Sequence, residues 1–547
     1  MKTQSSDGLS AVRTLAVQLD GRQKPLDTVA VETVSKVYGA TTYRYKDAET
    51  HAILQEDALH TYLNLWLDIR HWTEEPIILV NYRRLKDAAG LTTEREHFTF
   101  QELSANGKLA DMIQHAHQPE RDDKLLSRKE QDALIVENRI NILGATMDHQ
   151  TLPIVPHPTE INGQWFGLNG DQTLYSQEEI ELLRDRFAMI QHTLLSNHDI
   201  HFSTIDSMFS ELKRSLRDLS PAVYPSDRTL KREVFFNRFH PFTKAWELYA
   251  LAFGATLIGL WIKPWNLYWT GIGLCTVGVG VQAYGFILRM AIGTRPPVTN
   301  MYESVVWVGF GIAAIALLFE LINRSRYYLL VASPLAIMCL VLADSLPTVL
   351  DPSISPLAPS LQDNLWLSIH VPAVVLSYAC FALALGLGHV ALGNYLFTPN
   401  ATHRVKTLSQ LNYRVLQVGI SLLTIGAILG GFWANFSWGR FWGWDPKETW
   451  ALIALLCYLV PLYSRLVRWI GDFGLNVASV IAFNAVLMAW YGVNFIIGGL
   501  HSYGFGTGGP GLLLIGIVGL DLVFVFITAA RHYGWSMADI LTTSKNG

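Results

Sequence analysis

Five tryptophans fall within the eighteen residues 433–450, which read WANFSWGRFWGWDPKETW: Trp433, Trp438, Trp442, Trp444 and Trp450. With 17 Trp in 547 residues, chance supplies fewer than one to such a window. An interfacial aromatic belt is the bland explanation, but a belt spreads its rings over many helix ends. Here Gly439 and Gly443 let the backbone turn, so the indole faces could line one flat apolar surface. A large planar ligand suits such a surface better than an ion or a sugar. Asp445 and Pro446 read as the entry to the next helix, with Lys447 and Glu448 in its first turn. His370, in LWLSIHVPAVV, and His501, in GGLHSYGFGTGGP, flank the loop in sequence. A lone histidine near a membrane surface is commonly just interfacial. Two beside a tryptophan loop suggest imidazoles on either side of a haem iron.

The elements that must position these residues are membrane spans. Apolar residues make up 50% of the chain and charged ones 16%, against about 25% charge in soluble proteins. Residues 1–240 carry 27 Lys/Arg and 35 Asp/Glu, whereas 241–547 carry 15 and 11. The sequence therefore reads as a polytopic α-helical membrane protein with an N-terminal soluble mixed α/β domain, residues 1–240. Nine segments are apolar enough to span a bilayer: 245–262, 267–289, 304–322, 328–345, 367–397, 414–434, 449–467, 475–497 and 511–530. The first stands apart from an eight-helix region, 267–530, and 531–547 form a tail.

One set of connections holds Lys263, Arg324, Arg326, Arg404, Lys406, Arg414, Arg465, Arg468 and Arg531; the other holds Arg289, Arg295, Arg440 and Lys447. Positive charge marks the cytoplasmic side. The C-terminal tail is then expected inside, and the soluble domain and the tryptophan loop outside. Arg228, Lys231, Arg232, Arg238 and Lys244 argue the other way for the N-terminus. The first residues lack the apolar stretch of a signal peptide, so export of the soluble domain is unexplained by the sequence.

Within the spans, His389 lies 19 residues beyond His370, about 28 Å deeper on one helix. It reads as a helix-packing or interfacial histidine. Asp521, mid-way along the last span, needs a partner, with Asn484 and Asn494 as candidates. The N-terminal domain shows helical stretches at Leu26–Val37 and Gln177–Ser196 and twelve histidines, His115, His117, His198 and His201 among them. No zinc-finger spacing accompanies them, so they read as surface residues. The near-neutral balance, net −4, gives no basis for nucleic-acid binding, and Cys275, Cys339, Cys380 and Cys457 read as small apolar residues.

The tryptophan loop resembles the WWD motif of haem-handling proteins in cytochrome c maturation. His370, WGRFWGWDPKETW and His501, in that order, resemble the CcsA/ResC family, the membrane component of System II cytochrome c synthase; RPPVTNMYES (295–304) is also similar. GRQKPLDT (21–28) is similar to fused CcsB–CcsA proteins, with residues 1–240 as a remnant of the CcsB external domain. The resemblance implies a bacterial inner-membrane protein that binds haem b at the periplasmic face. His370 and His501 would be axial ligands, and the WWD loop, including Asp445, would hold the ring. The partner would be apocytochrome c, whose CxxCH thiols add to the haem vinyl groups. The chain would then be a haem lyase or holocytochrome c synthase component, with a separate CcsB-type subunit, a thiol-reducing partner and membrane lipid as further associates. Asp445 and Glu448 would be structural. Many members carry an intramembrane histidine where this chain has Tyr463, leaving His389 as a substitute contact. A membrane assembly scaffold and a transporter of another solute are the alternatives.

Overall fold

A computed structural model describes the chain except residues 1–2, 5–7, 47–51, 68, 118–126, 149–150, 171–173, 197–201, 263–264, 347–348, 358–363, 498–510 and 535–547. It divides into two units, Met1–Phe239 with Ser353–Pro356, and His240–Pro352 with Leu357–Gly547. His198, His201 and His501 lie outside the described residues.

The second unit is helical, with its helices numbered here from Pro241. They are α1 Pro241–Ile262, α2 Trp265–Gly293, α3 Met301–Asn323, α4 Tyr327–Ser345, α5 Asn364–Phe397, α6 Thr402–Trp438, α7 Pro446–Leu466, α8 Asp472–Leu487 and α9 Gly511–His532. From Met488 to Ile497, α8 continues as a π-helix. Eight of them, α2 to α9, have both the length and the apolar composition to cross a membrane. The protein is thus a polytopic helical membrane protein with a small α/β unit before it. In place of a span at 414–434, α6 begins at Thr402 and reaches Trp438.

Lipid offers no hydrophobic drive for helix association, so close approach and internal hydrogen bonds must do that work. Gly386 on α5 lies against Val331 of α4, and Gly388 lies against Ser479 and the Asn476 carbonyl of α8, where a Cβ would collide. Tyr249 of α1 donates to Gln282 of α2 at 2.7 Å, and Gln282 donates to the Val306 carbonyl of α3 at 2.9 Å. Asn412 of α6 donates to Asn476 and Ser479 of α8, each at 2.9 Å.

RPPVTNMYES makes a buried charged corner at the start of α3. Asn300 caps the helix by accepting from Glu303 N–H at 2.8 Å. The Glu303 carboxylate takes Arg289 at 2.7 Å and the Thr299 hydroxyl at 2.7 Å. Both charges are about 97% buried, as such a pair permits only when fully hydrogen-bonded.

In the first unit, Ala16–Leu19 and Arg22–Pro25 form a hairpin, Leu19 opposite Arg22. Its two-residue turn is Asp20-Gly21, at φ 52° and 72°, the left-handed pair that a tight hairpin requires. The motif GRQKPLDT then runs from this turn into the helix Leu26–Tyr38. Arg22 grips Glu233 at 2.8 and 2.7 Å, Thr28 donates to Glu233 at 2.8 Å, and Asn237 donates to Asp27 at 3.2 Å. The motif therefore staples the hairpin to the helix Asp227–Phe239. A three-stranded sheet of Thr3–Gln4, Ile53–Asp57 and Thr42–Lys46 completes the α/β character. Of the histidines singled out, His115 pairs with Glu130 and His117 with Glu137.

Candidate haem-handling site at the end of helices α5 and α6

Antiparallel α5 and α6 meet near the start of one and the end of the other. The α6 sequence GAILGGFWANFSW places glycines at 426 and 430, four apart and so on one face. His370 of α5 enters the groove they leave. Its Nδ1 lies 2.7 Å from the Gly426 carbonyl. A Cβ on Gly430 would come within 2.5 Å of the His370 ring. Because a carbonyl only accepts, Nδ1 must carry the proton, and the lone pair of the neutral ring resides on Nε2. A histidine that ligates metal is commonly oriented in this manner, by a carbonyl behind the other nitrogen.

Trp433, one turn beyond, packs edge-on to His370 with ring centroids 5.8 Å apart. It is 8% exposed, and its indole N–H has no hydrogen-bond partner among the described residues. A buried unpaired donor costs about 1–3 kcal/mol and is the kind of group a ligand's acceptor satisfies. Around this core, Trp366 stacks on Phe436 at 5.8 Å and on Phe432 at 6.5 Å. Phe441 fills the space over Gly431, where a Cβ would meet its ring at 2.5 Å.

The tryptophan segment is partly helix and partly connector. Trp433 and Trp438 belong to α6, Trp450 to α7, and Trp442 and Trp444 to the turn between them. Gly439 ends α6 in the left-handed conformation, φ 68°. The second left-handed residue is Trp444, φ 57°, where a glycine would cost less; this single residue stores about 1–2 kcal/mol. Gly443 instead makes room for the Arg440 guanidinium. Trp444 is 69% exposed and meets Trp442 nearly at right angles, 83°. The five indoles therefore do not form one flat surface: Trp433 is a buried wall, and Trp444 projects.

Asp445 is the N-cap of α7, with Pro446 at its first turn and Glu448 completing a reciprocal cap. The Glu448 carboxylate accepts from Gly443 N–H at 2.8 Å and Asp445 N–H at 3.2 Å, fixing the backbone on both sides of Trp444. Both carboxylates are thus used by backbone.

The remaining candidates lie elsewhere. Tyr463 is 59% exposed on α7. His389 of α5 has Nε2 at 2.5 Å from Asp521 of α9 and Nδ1 at 2.9 Å from its own Leu385 carbonyl. Asp521 is thus partnered by His389 rather than by Asn484 or Asn494, which donate to Ile481 and Trp490 carbonyls. Sequence reasoning missed Trp366, Gly426, Gly430 and Phe436; the four-residue glycine spacing was the available signal.

The chain matches the family described as Cytochrome C assembly protein over residues 298–501, from the charged corner to His501. It is 30% identical over 308 residues to the cytochrome c biogenesis protein CcsA of Microcystis aeruginosa, covering 44% of this chain and 92% of that one. The chain belongs to the CcsA-type cytochrome c biogenesis family. The CcsA of Chlorella vulgaris is 32% identical over 290 residues, 44% of this chain and 91% of its own. Protein NrfI of Wolinella succinogenes is 29% identical over 505 residues, 88% of this chain. The chain spans about half of NrfI, 53% of its length. A solved chain titled cytochrome c haem lyase CcmF, at 17% identity, covers 55% of this chain and 51% of its own with a TM-score of 0.40, too distant to bear on fold or function.

Proposed function

We propose that this CcsA-type protein holds haem b at the outer face of a bacterial inner membrane and presents it to apocytochrome c. The observation that carries the reading is His370, its ring oriented through Nδ1 by the Gly426 carbonyl, beside a buried indole donor. The second axial ligand is His501. Trp433, Trp438, Trp442, Trp444 and Trp450 enclose the macrocycle, with Asp445 and Glu448 shaping the connector. Attachment adds each CxxCH thiol across a haem vinyl group. A C–S bond forms at one vinyl carbon and the thiol hydrogen ends on the other, with no net electron transfer. The protein's contribution is proximity and orientation. A CcsB-type subunit and a thiol-reducing partner are further associates in this reading.

The sidedness has support from the distribution of charge. Of the four outer cations, Arg289 is neutralised by Glu303, which deepens the charge asymmetry between faces.

The test is co-expression with a CxxCH apocytochrome in a host stripped of its own maturation system. Covalent haem on the cytochrome, abolished by His370→Ala, is the expected result. Haem bound by the membrane protein without any covalent product in the presence of reduced apocytochrome would favour a scaffold instead.

A further inference from the structure

The connector between α6 and α7 carries a cation that the proposed site does not use. After Gly439 ends α6, the chain folds back so that Phe441 covers Gly431, next to the Gly430 that lines the His370 ring. Phe432 meets Phe441 edge-on at 5.5 Å and fixes that return. Arg440 lies between these two anchors in sequence. Its guanidinium rests against the backbone of Gly443, where a Cβ would collide with it. Gly443 does not have the left-handed φ that would by itself call for glycine. The missing side chain leaves a seat for the charged group, between the residues that carry Trp442 and Trp444.

Seated there, the guanidinium is exposed and has neither a hydrogen bond nor an ion pair among the described residues. The connector's two carboxylates are turned to backbone instead. Glu448 accepts from Gly443 and Asp445 N–H at 2.8 and 3.2 Å, and Asp445 accepts from Lys447 N–H at 3.4 Å. Arg289, by contrast, is closed off by Glu303 at 2.7 Å. An arginine held in place beside apolar rings presents a planar fork that matches a carboxylate. An interfacial arginine also meets lipid phosphate by snorkelling, but a snorkelling side chain needs no glycine to seat it. The seat lies inside the tryptophan connector, so the anion it suits is one carried by the ligand of that connector.

We infer that Arg440 pairs with a propionate carboxylate of the haem bound at His370, and so sets the rotation of the ring in its site. Haem b carries its two propionates on one edge and its two vinyl groups away from them. Holding the acidic edge at Arg440 leaves the vinyl groups pointing away from it, open to the thiols. The inference rests on the haem-presenting reading and adds to it the residue that orients the ring.

The probes are haem and its dimethyl ester, which keeps the ring and the iron but has no carboxylate charge. Each is titrated into the detergent-purified full chain and followed by its visible spectrum, and the ratio of the two affinities reads carboxylate recognition. The wild type should bind haem about fivefold more tightly than the ester, the upper range for an exposed ion pair. Arg440→Met keeps an apolar stem and should bring the ratio to one with thermal stability unchanged. Arg440→Lys should retain part of the preference, and Gly443→Ala should lose most of it by unseating the guanidinium without removing the charge. A ratio of one in the wild type, with six-coordinate spectra for both ligands, would overturn the inference and leave haem binding intact. An undiminished ratio in Arg440→Met would overturn it too and assign the arginine to lipid phosphate. A wild type that binds neither ligand would sink the haem reading and this inference with it.

Discussion

At the scale of single residues, the site turns on an imidazole with little freedom. Gly430→Ala places a methyl group 2.5 Å from the His370 ring, which must leave its seat on the Gly426 carbonyl. Overpacking of this sort costs about 1–3 kcal/mol, so haem affinity should fall about tenfold or more. Gly393→Ala on α5, where nothing lies within 4 Å, is the matched control and should bind haem as wild type does. Titration of purified variants with haem measures both. Trp433→Phe keeps the buried ring and removes the unpaired N–H. If that donor is satisfied by haem, the variant should lose about tenfold in affinity without losing thermal stability. The tryptophan cluster and His370 were legible in the sequence because they are local signals of type and spacing. The seat of His370 was not, since its partner Gly426 is 56 residues away and contributes only a backbone carbonyl.

Elements decide how those residues are presented. The connector between α6 and α7 is held by Gly439, by the Asp445 cap and by Glu448, which together keep Trp444 in a conformation it would not choose. Glu448→Gln preserves an acceptor for the two backbone N–H groups and should be nearly silent. Glu448→Ala frees the connector at a cost of about 1 kcal/mol. Limited proteolysis should then cut near Phe441–Trp444 several-fold faster in Glu448→Ala, and at wild-type rate in Glu448→Gln. Helix existence was readable from apolar runs of membrane length, and α6 alone departed widely. Its first turns carry Arg404 and Lys406, which a hydropathy reading discards although the helix continues through them. The partner of Asp521 was unreadable for another reason. His389 is 132 residues distant, and packing of α9 on α5 is invisible to any local pattern.

On the scale of the whole molecule, two units with different solvents meet different stability rules. In the first unit, Asp227 accepts from Arg217 at 2.6 Å and pairs with Lys213 at 2.7 Å. The Arg217 hydrogen bond, aided by Lys213 and opposed by partial burial, pulls its carboxyl down to about 2. A depressed carboxylate stabilises the fold above its ordinary value of 3.8, and that contribution fades as pH falls toward 2. Asp227→Asn should therefore destabilise by about 0.5–1 kcal/mol at neutral pH, discounted for exposure, and the difference should vanish by about pH 2 in denaturation monitored by tryptophan fluorescence. Sidedness is checked with impermeant thiol reagents. Cysteines at Asn162 and Ser355 should label in intact cells, and one at Thr402 only after permeabilisation; the reverse pattern would invert the proposed orientation.

The most direct test of the central claim is the visible spectrum of the detergent-purified chain with haem supplied, beside His370→Gly and His501→Gly. The account predicts a six-coordinate bis-imidazole spectrum in the wild type. Each variant should lose it, and added imidazole should restore it by occupying the vacated position. Unaltered spectra in both variants would contradict the assignment of these two histidines as the ligands.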